Sequence, residues 1–187
     1  MKFQIRQGVF ETNSSSIHSI VVKKTFDYYT KEEAQEEIYV RKSGKWTIYE
    51  DDLNFGRSPF EIMGSFKRKI HYAIAALCGS YLPKEKAEIE LKEIEQIVKK
   101  YIPEIKLIEL PEVYNYSSGK DEKYYGYIDH ESIGLLQSFL EKKEITLEEF
   151  LMNKRYIVII DGDEYCFWEE AKKTGIVDLN EIEEEFE

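Results

Sequence analysis

Between Thr12 and Ser19 the chain gathers hydroxyls, an amide and an imidazole: Thr12, Asn13, Ser14, Ser15, Ser16, His18 and Ser19. Asn and Ser side chains fold back onto backbone amides and leave N–H groups pointing outward. Such a turn can cradle a phosphate or a carboxylate. An imidazole that titrates near neutrality, His18, could supply or accept a proton beside it. Plain hairpin loops use the same residue types, so that alternative stands next to the chemical one.

A second group, Asp129-His130-Glu131-Ser132, falls where a strand gives way to a helix. Strand alternation would send Asp129 and Glu131 one way and His130 the other, so the three converge only through a turn. Capping of the following helix by Asp129 or Ser132 is the simpler role. A third group, Asp161-Gly162-Asp163-Glu164, places carboxylates at a strand end, where Mg²⁺ could bind. An acidic turn that blunts the strand end is the simpler explanation, since Asp-Gly turns are ordinary. Lys67-Arg68-Lys69 and His71 read as a basic surface patch on a helix. No Walker loop, dinucleotide fingerprint, nucleophile elbow, helix-turn-helix or zinc spacing occurs. Three histidines and two distant cysteines argue against a structural zinc site. No metal and no cofactor are expected.

The elements that must position these groups follow from patterning. With 187 residues, 42% apolar and 14% aromatic, the chain is expected to fold as a single α+β domain spanning 1–187. Strands are expected at 2–10 and 19–24, joined by a polar connection through His18. Thr30-Lys31-Glu32-Glu33 is a capping box for a helix to about Tyr39, and Lys45–Tyr49 alternates as a half-buried strand. Ser58-Pro59-Phe60-Glu61 reads as the start of a helix running to about Ser80. Pro83 opens another, and Pro103 stops it. Strands follow at Ile105–Leu110 and Tyr124–Ile128, then a helix carrying Leu135, Leu136, Phe139 and Leu140. Thr146-Leu147-Glu148-Glu149 caps a short helix, Tyr156–Ile160 has the continuous apolar character of a central strand, and a last helix is expected over 165–173. The order lacks repeated βαβ alternation, which favours a mixed or antiparallel sheet with packed helices over a doubly wound fold.

The net charge of −11 is uneven. Residues 175–187 form an acidic C-terminal tail with six acids and no base, whereas residues 1–26 are net +3. Solubility explains such a tail, and so does phosphate mimicry toward a nucleic-acid-binding protein. No long apolar segment suggests a membrane span or a signal peptide, and Cys78 reads as a buried reduced thiol. A cytoplasmic location is expected.

The run Arg6-Gln7-Gly8-Val9-Phe10-Glu11-Thr12-Asn13-Ser14-Ser15-Ser16-Ile17-His18-Ser19 resembles an N-terminal signature of small phage and mobile-element proteins of Gram-positive bacteria. Tyr125-Gly126-Tyr127-Ile128-Asp129-His130-Glu131-Ser132 resembles a second block of that group, with Glu131 where glutamine is expected. Some members resemble type II anti-CRISPR proteins. The resemblance implies an inhibitor of an RNA-guided DNA nuclease, partnered with the effector, its guide RNA, or both, in the host bacterial cell. It also implies that His18 and His130 face one cleft with Asn13, the serines and Asp129.

Two other functions fit the residues. One is an enzyme acting on RNA or nucleotides, with His18, Asp129 and His130 catalytic and Arg6, Thr12, Asn13, Ser14, Ser15, Ser16, Ser19 and Ser132 binding. The other is a non-catalytic phage interaction module.

Overall fold

The computed structural model describes residues 17–56, 61–79, 83–111, 113–114, 123–161, 180 and 182–186. The sequences expected to form a strand at 2–10 and a helix at 165–173 lie outside the described residues, as do Gly162, Asp163 and Glu164.

The first strand, β1 (Ile17–Lys23), precedes α1 (Lys31–Glu37). Thr30 opens α1 with the expected reciprocal capping box with Glu33. Then come β2 (Lys45–Thr47), a 3₁₀ turn over Glu50–Leu53, β3 (Asn54–Phe55) and β4 (Glu61–Met63). Two long helices follow, α2 (Phe66–Cys78) and α3 (Lys84–Tyr101). Short strands β5 (Leu107–Glu109), β6 (Val113–Tyr114), β7 (Lys123–Tyr124) and β8 (Tyr127–Ile128) lead to a 3₁₀ turn at His130–Ser132. The described elements close with α4 (Leu135–Lys143), α5 (Leu147–Met152), β9 (Tyr156–Asp161) and β10 (Ile182–Phe186).

The architecture is α+β. Four antiparallel strands lie in the order β10-β1-β9-β4, and helices pack on one face. Alternation sorts the side chains: Ile20, Val22, Met63, Tyr156, Val158 and Ile160 join the helical core. Val21 and Ile159, with Ile62, Ile157 and Ile182, form a separate apolar cluster on the other face. Having apolar groups on both faces is why the Tyr156–Ile160 run is continuous, and β9 is indeed an inner strand.

Helix α2 is the hub. It is buried nearly all round, which is what a helix enclosed by other elements requires. Its neighbours include α3, α4, α5 and the short strands β3 and β8. Lys69 is fully buried in it, so the expected basic surface patch is not a surface patch. The ammonium reaches the C-terminal end of α5 and donates to the carbonyls of Phe150 and Asn153, at 2.9 and 2.8 Å. Burial pulls the amine down to about 7. Arg68 is tied to Glu61 by paired hydrogen bonds, and His71 is buried against Trp46.

Other expectations are corrected too. The helix expected from Ser58 starts only after Ser65, whose hydroxyl accepts from the Arg68 amide, and Glu61–Met63 instead pairs with β9. Local capping text at 58–61 loses to long-range strand pairing. The strand expected over 124–128 is broken at Gly126, whose φ of +106° is open to glycine alone at low cost. A Cβ there would also meet the Leu53 carbonyl at 2.9 Å. Finally, part of the acidic tail is structured: Ile182–Phe186 is the outer strand β10, paired with β1.

Candidate functional site

The described end of the first sequence block, at His18, meets the second block at Ser132. Strand β10 pairs with β1 only from Ile20 onward, and the His18 amide donates instead to the Ser132 hydroxyl at 3.3 Å. The turn that carries Ser132 is itself fixed from two sides. Its Asp129 amide donates to the Phe55 carbonyl at 3.1 Å, and the Ser132 amide donates to the Asp129 carbonyl at 3.0 Å. Asp129 also caps the 3₁₀ turn, one carboxylate oxygen accepting from the Glu131 amide at 3.2 Å. The expected capping role of Asp129 is therefore realised in a 3₁₀ turn rather than directly in α4.

His18 belongs to β1 rather than to the polar connection, because its alternation matches Ile20 and Val22 and sends its ring toward α2. It is 2% exposed. Its Nδ1 lies 3.3 Å from the Tyr72 hydroxyl, and the rings are 5.7 Å apart. Burial drives the imidazole down to about 4, against the opposing pull of the Asp129 carboxylate and a hydrogen bond with the Phe55 backbone. It is neutral at pH 7. Burial also pushes the Tyr72 phenol far up, so Tyr72 keeps its proton. A carbonyl can only accept, so the imidazole donates to Phe55 and accepts from Tyr72. Those two bonds use the donor and acceptor of a neutral imidazole to hold the fold.

The outer half of the site differs. His130 has a side chain 64% exposed, and its Nδ1 sits 3.2 Å from the Asp129 carboxylate. Glu131 is exposed as well, 3.9 Å from His130 Nε2. The expected opposition of Glu131 and His130 is lost because the segment turns, placing both at the surface while Asp129 and Ser132 point in. Chemically, a buried carboxylate lies beside an exposed imidazole, a pairing used in acid–base catalysis and in binding alike.

Of the expected site residues, the structure brings His18, Asp129 and Ser132 together, and places His130 at the rim of the same joint. Ser19 is buried in β1, opposite Ile159. Arg6, Thr12, Asn13, Ser14, Ser15 and Ser16 lie outside the described residues. Sequence reasoning missed Tyr72 and Phe55, which read as ordinary core aromatics. Only the long-range contact with His18 sets them apart, and spacing along the chain carries no trace of it.

The acidic strand β10 is partly neutralised. Glu183 pairs with Arg155 at 2.6 Å, and Glu184 pairs with Lys143. Among the described residues, no three His, Cys, Asp or Glu side chains gather to hold a metal ion. No described helix is long and apolar enough to cross a membrane. No protein-family model, curated protein or solved structure matches the chain.

Proposed function

We propose that the protein is a phage-type anti-defence factor that works in the bacterial cytoplasm, inhibiting a type II RNA-guided DNA nuclease by binding the effector or its guide-RNA complex. The observation that carries the reading is the hydrogen bond from the His18 amide to Ser132, which spans 114 residues. It joins His18, near the end of the first block that resembles the mobile-element group, to Ser132, at the end of the second, which supports reading the two resemblances together. The commitment of His18 to the fold favours binding over proton transfer at that end. A DNA-cleavage assay with order-of-addition arms tests the reading. Cleavage is expected to fall when the protein is added in excess, and the effector is expected to retain it in a pull-down. Undiminished cleavage together with no retention would sink the idea.

The Asp129–His130 pair favours a second reading, an enzyme that cleaves RNA with His130 as the proton carrier and Asp129 orienting it. Guide RNA resolved on a denaturing gel is then shortened by the wild type and spared by His130→Ala. Intact RNA with and without divalent metal removes this reading and leaves the first standing.

A further inference from the structure

We propose that the turn from Tyr127 to Ile133 is a protein-docking surface whose partner is a basic protein face with an apolar recess, rather than RNA. This rests on the inhibitor reading above and names the component that is gripped. Within seven residues the chain separates anchors from displayed groups. Ile128, Asp129 and Ser132 are buried; Tyr127, His130, Glu131 and Ile133 are exposed. The anchors are fixed by Phe55, by the His18 amide and by the turn's own backbone bond. A surface held this way has little conformational freedom left to lose when a partner arrives.

Tyr127 and Ile133 are large apolar side chains left at the surface on either side of the turn. The Tyr127 ring is backed by Gly56, where an added Cβ would come within 2.7 Å of its Cε1. Glycine at 56 thus leaves the space the ring uses. A tyrosine supported from behind is a rigid contact of the kind that dominates protein interfaces.

Charge chooses between the two partner classes. Glu131 is exposed and Asp129 lies beneath it; His130 stands 3.2 Å from Asp129 and 3.9 Å from Glu131, and among the described residues no lysine or arginine forms an ion pair with either carboxylate. Binding of RNA draws on cations that neutralise phosphates, and carboxylates oppose it. A basic protein face is complementary to the same groups. The net charge of −11 acts in the same direction at long range.

The test uses immobilised effector with and without guide RNA, and free guide RNA in a gel shift. Wild type is expected to bind the effector protein without guide and to leave free guide RNA unshifted. The double variant Tyr127→Ala/Ile133→Ala is expected to bind about tenfold more weakly or worse. Glu131→Lys, a surface change that spares the anchors, is expected to weaken binding more at low salt than at high. Variants retained as well as wild type would overturn this surface while leaving the inhibitor reading intact. Retention that needs guide RNA, or a shift of free guide RNA, would overturn it in favour of an RNA partner. A wild type retained by no form of the effector would overturn both.

Discussion

Two histidines sit within one joint and do different work. His18 is enclosed between β1 and α2, held neutral by burial, and bonded to Tyr72 and Phe55. His130 is exposed, between the buried Asp129 carboxylate at 3.2 Å and that of Glu131 at 3.9 Å. The same residue type is therefore a buried strut on the inner side and a solvent-facing group on the outer side. Burial, not residue type, divides the roles. An imidazole with both nitrogens engaged by the fold has nothing left to offer a ligand, whereas an exposed one flanked by carboxylates still faces solvent.

Substitutions on the inner side are expected to damage the fold, and those on the outer side to leave stability intact. The largest effect is expected from Tyr72→Ala. It opens a cavity beside Phe55 and strands His18, and urea denaturation is expected to show a loss of about 4 kcal/mol. A loss below about 1 kcal/mol would break the comparison, since the inner side would then be loosely packed.

Acid comes next. Folded His18 takes up its proton only near pH 4, whereas the unfolded chain does so near 6.5. Between those values the unfolded state holds the extra proton. Stability from this group is complete above about 6.5 and is lost as pH falls toward 4, by on the order of 3 kcal/mol. His71, also lowered to about 4 by burial, adds to the fall in the same window. Denaturation midpoints measured across pH 4–7 are expected to flatten in His18→Gln by the share that His18 supplies. An unchanged slope would mean that His18 is not enclosed.

A smaller effect is expected from Ser132→Ala, which leaves the His18 amide without its acceptor: about 1 kcal/mol, read from the shift in urea midpoint. His130→Ala is expected to change stability by no more than about 0.5 kcal/mol while affecting inhibition or RNA cleavage. A strong destabilisation there would erase the contrast from the other side.

Much of the fold could be read from local text. The Thr30 capping box, the helix between Pro83 and Pro103, the apolar run of β9 and the Thr146 cap all appear where spacing places them. In each case the signal and the structure it governs lie within one element. Ser58–Glu61 shows the limit. The same four residues that would open a helix precede or begin a strand that answers to β9, nearly a hundred residues away, and pairing energy outweighs a capping motif. The acidic tail misled for a related reason: counting charges cannot reveal that Ile182 and Phe186 bracket a strand beside β1. As for the site, the residue types at 18 and 129–132 were visible, and so was the possibility that they meet. Which histidine would be enclosed was not, because that depends on where Tyr72 and Phe55 arrive from other elements.

The placement of β1 has a consequence for how the molecule is born. Its two sheet neighbours, β9 and β10, come from residues 156–161 and 182–186. While the ribosome is still making the middle of the chain, β1 has no strand to lean on, and the helical hub can assemble without it. The sheet is therefore completed late, through contacts of long sequence separation, which slows folding. Until β9 and β10 emerge, β1 lacks both of its sheet partners, and an unpaired strand edge is open to self-association.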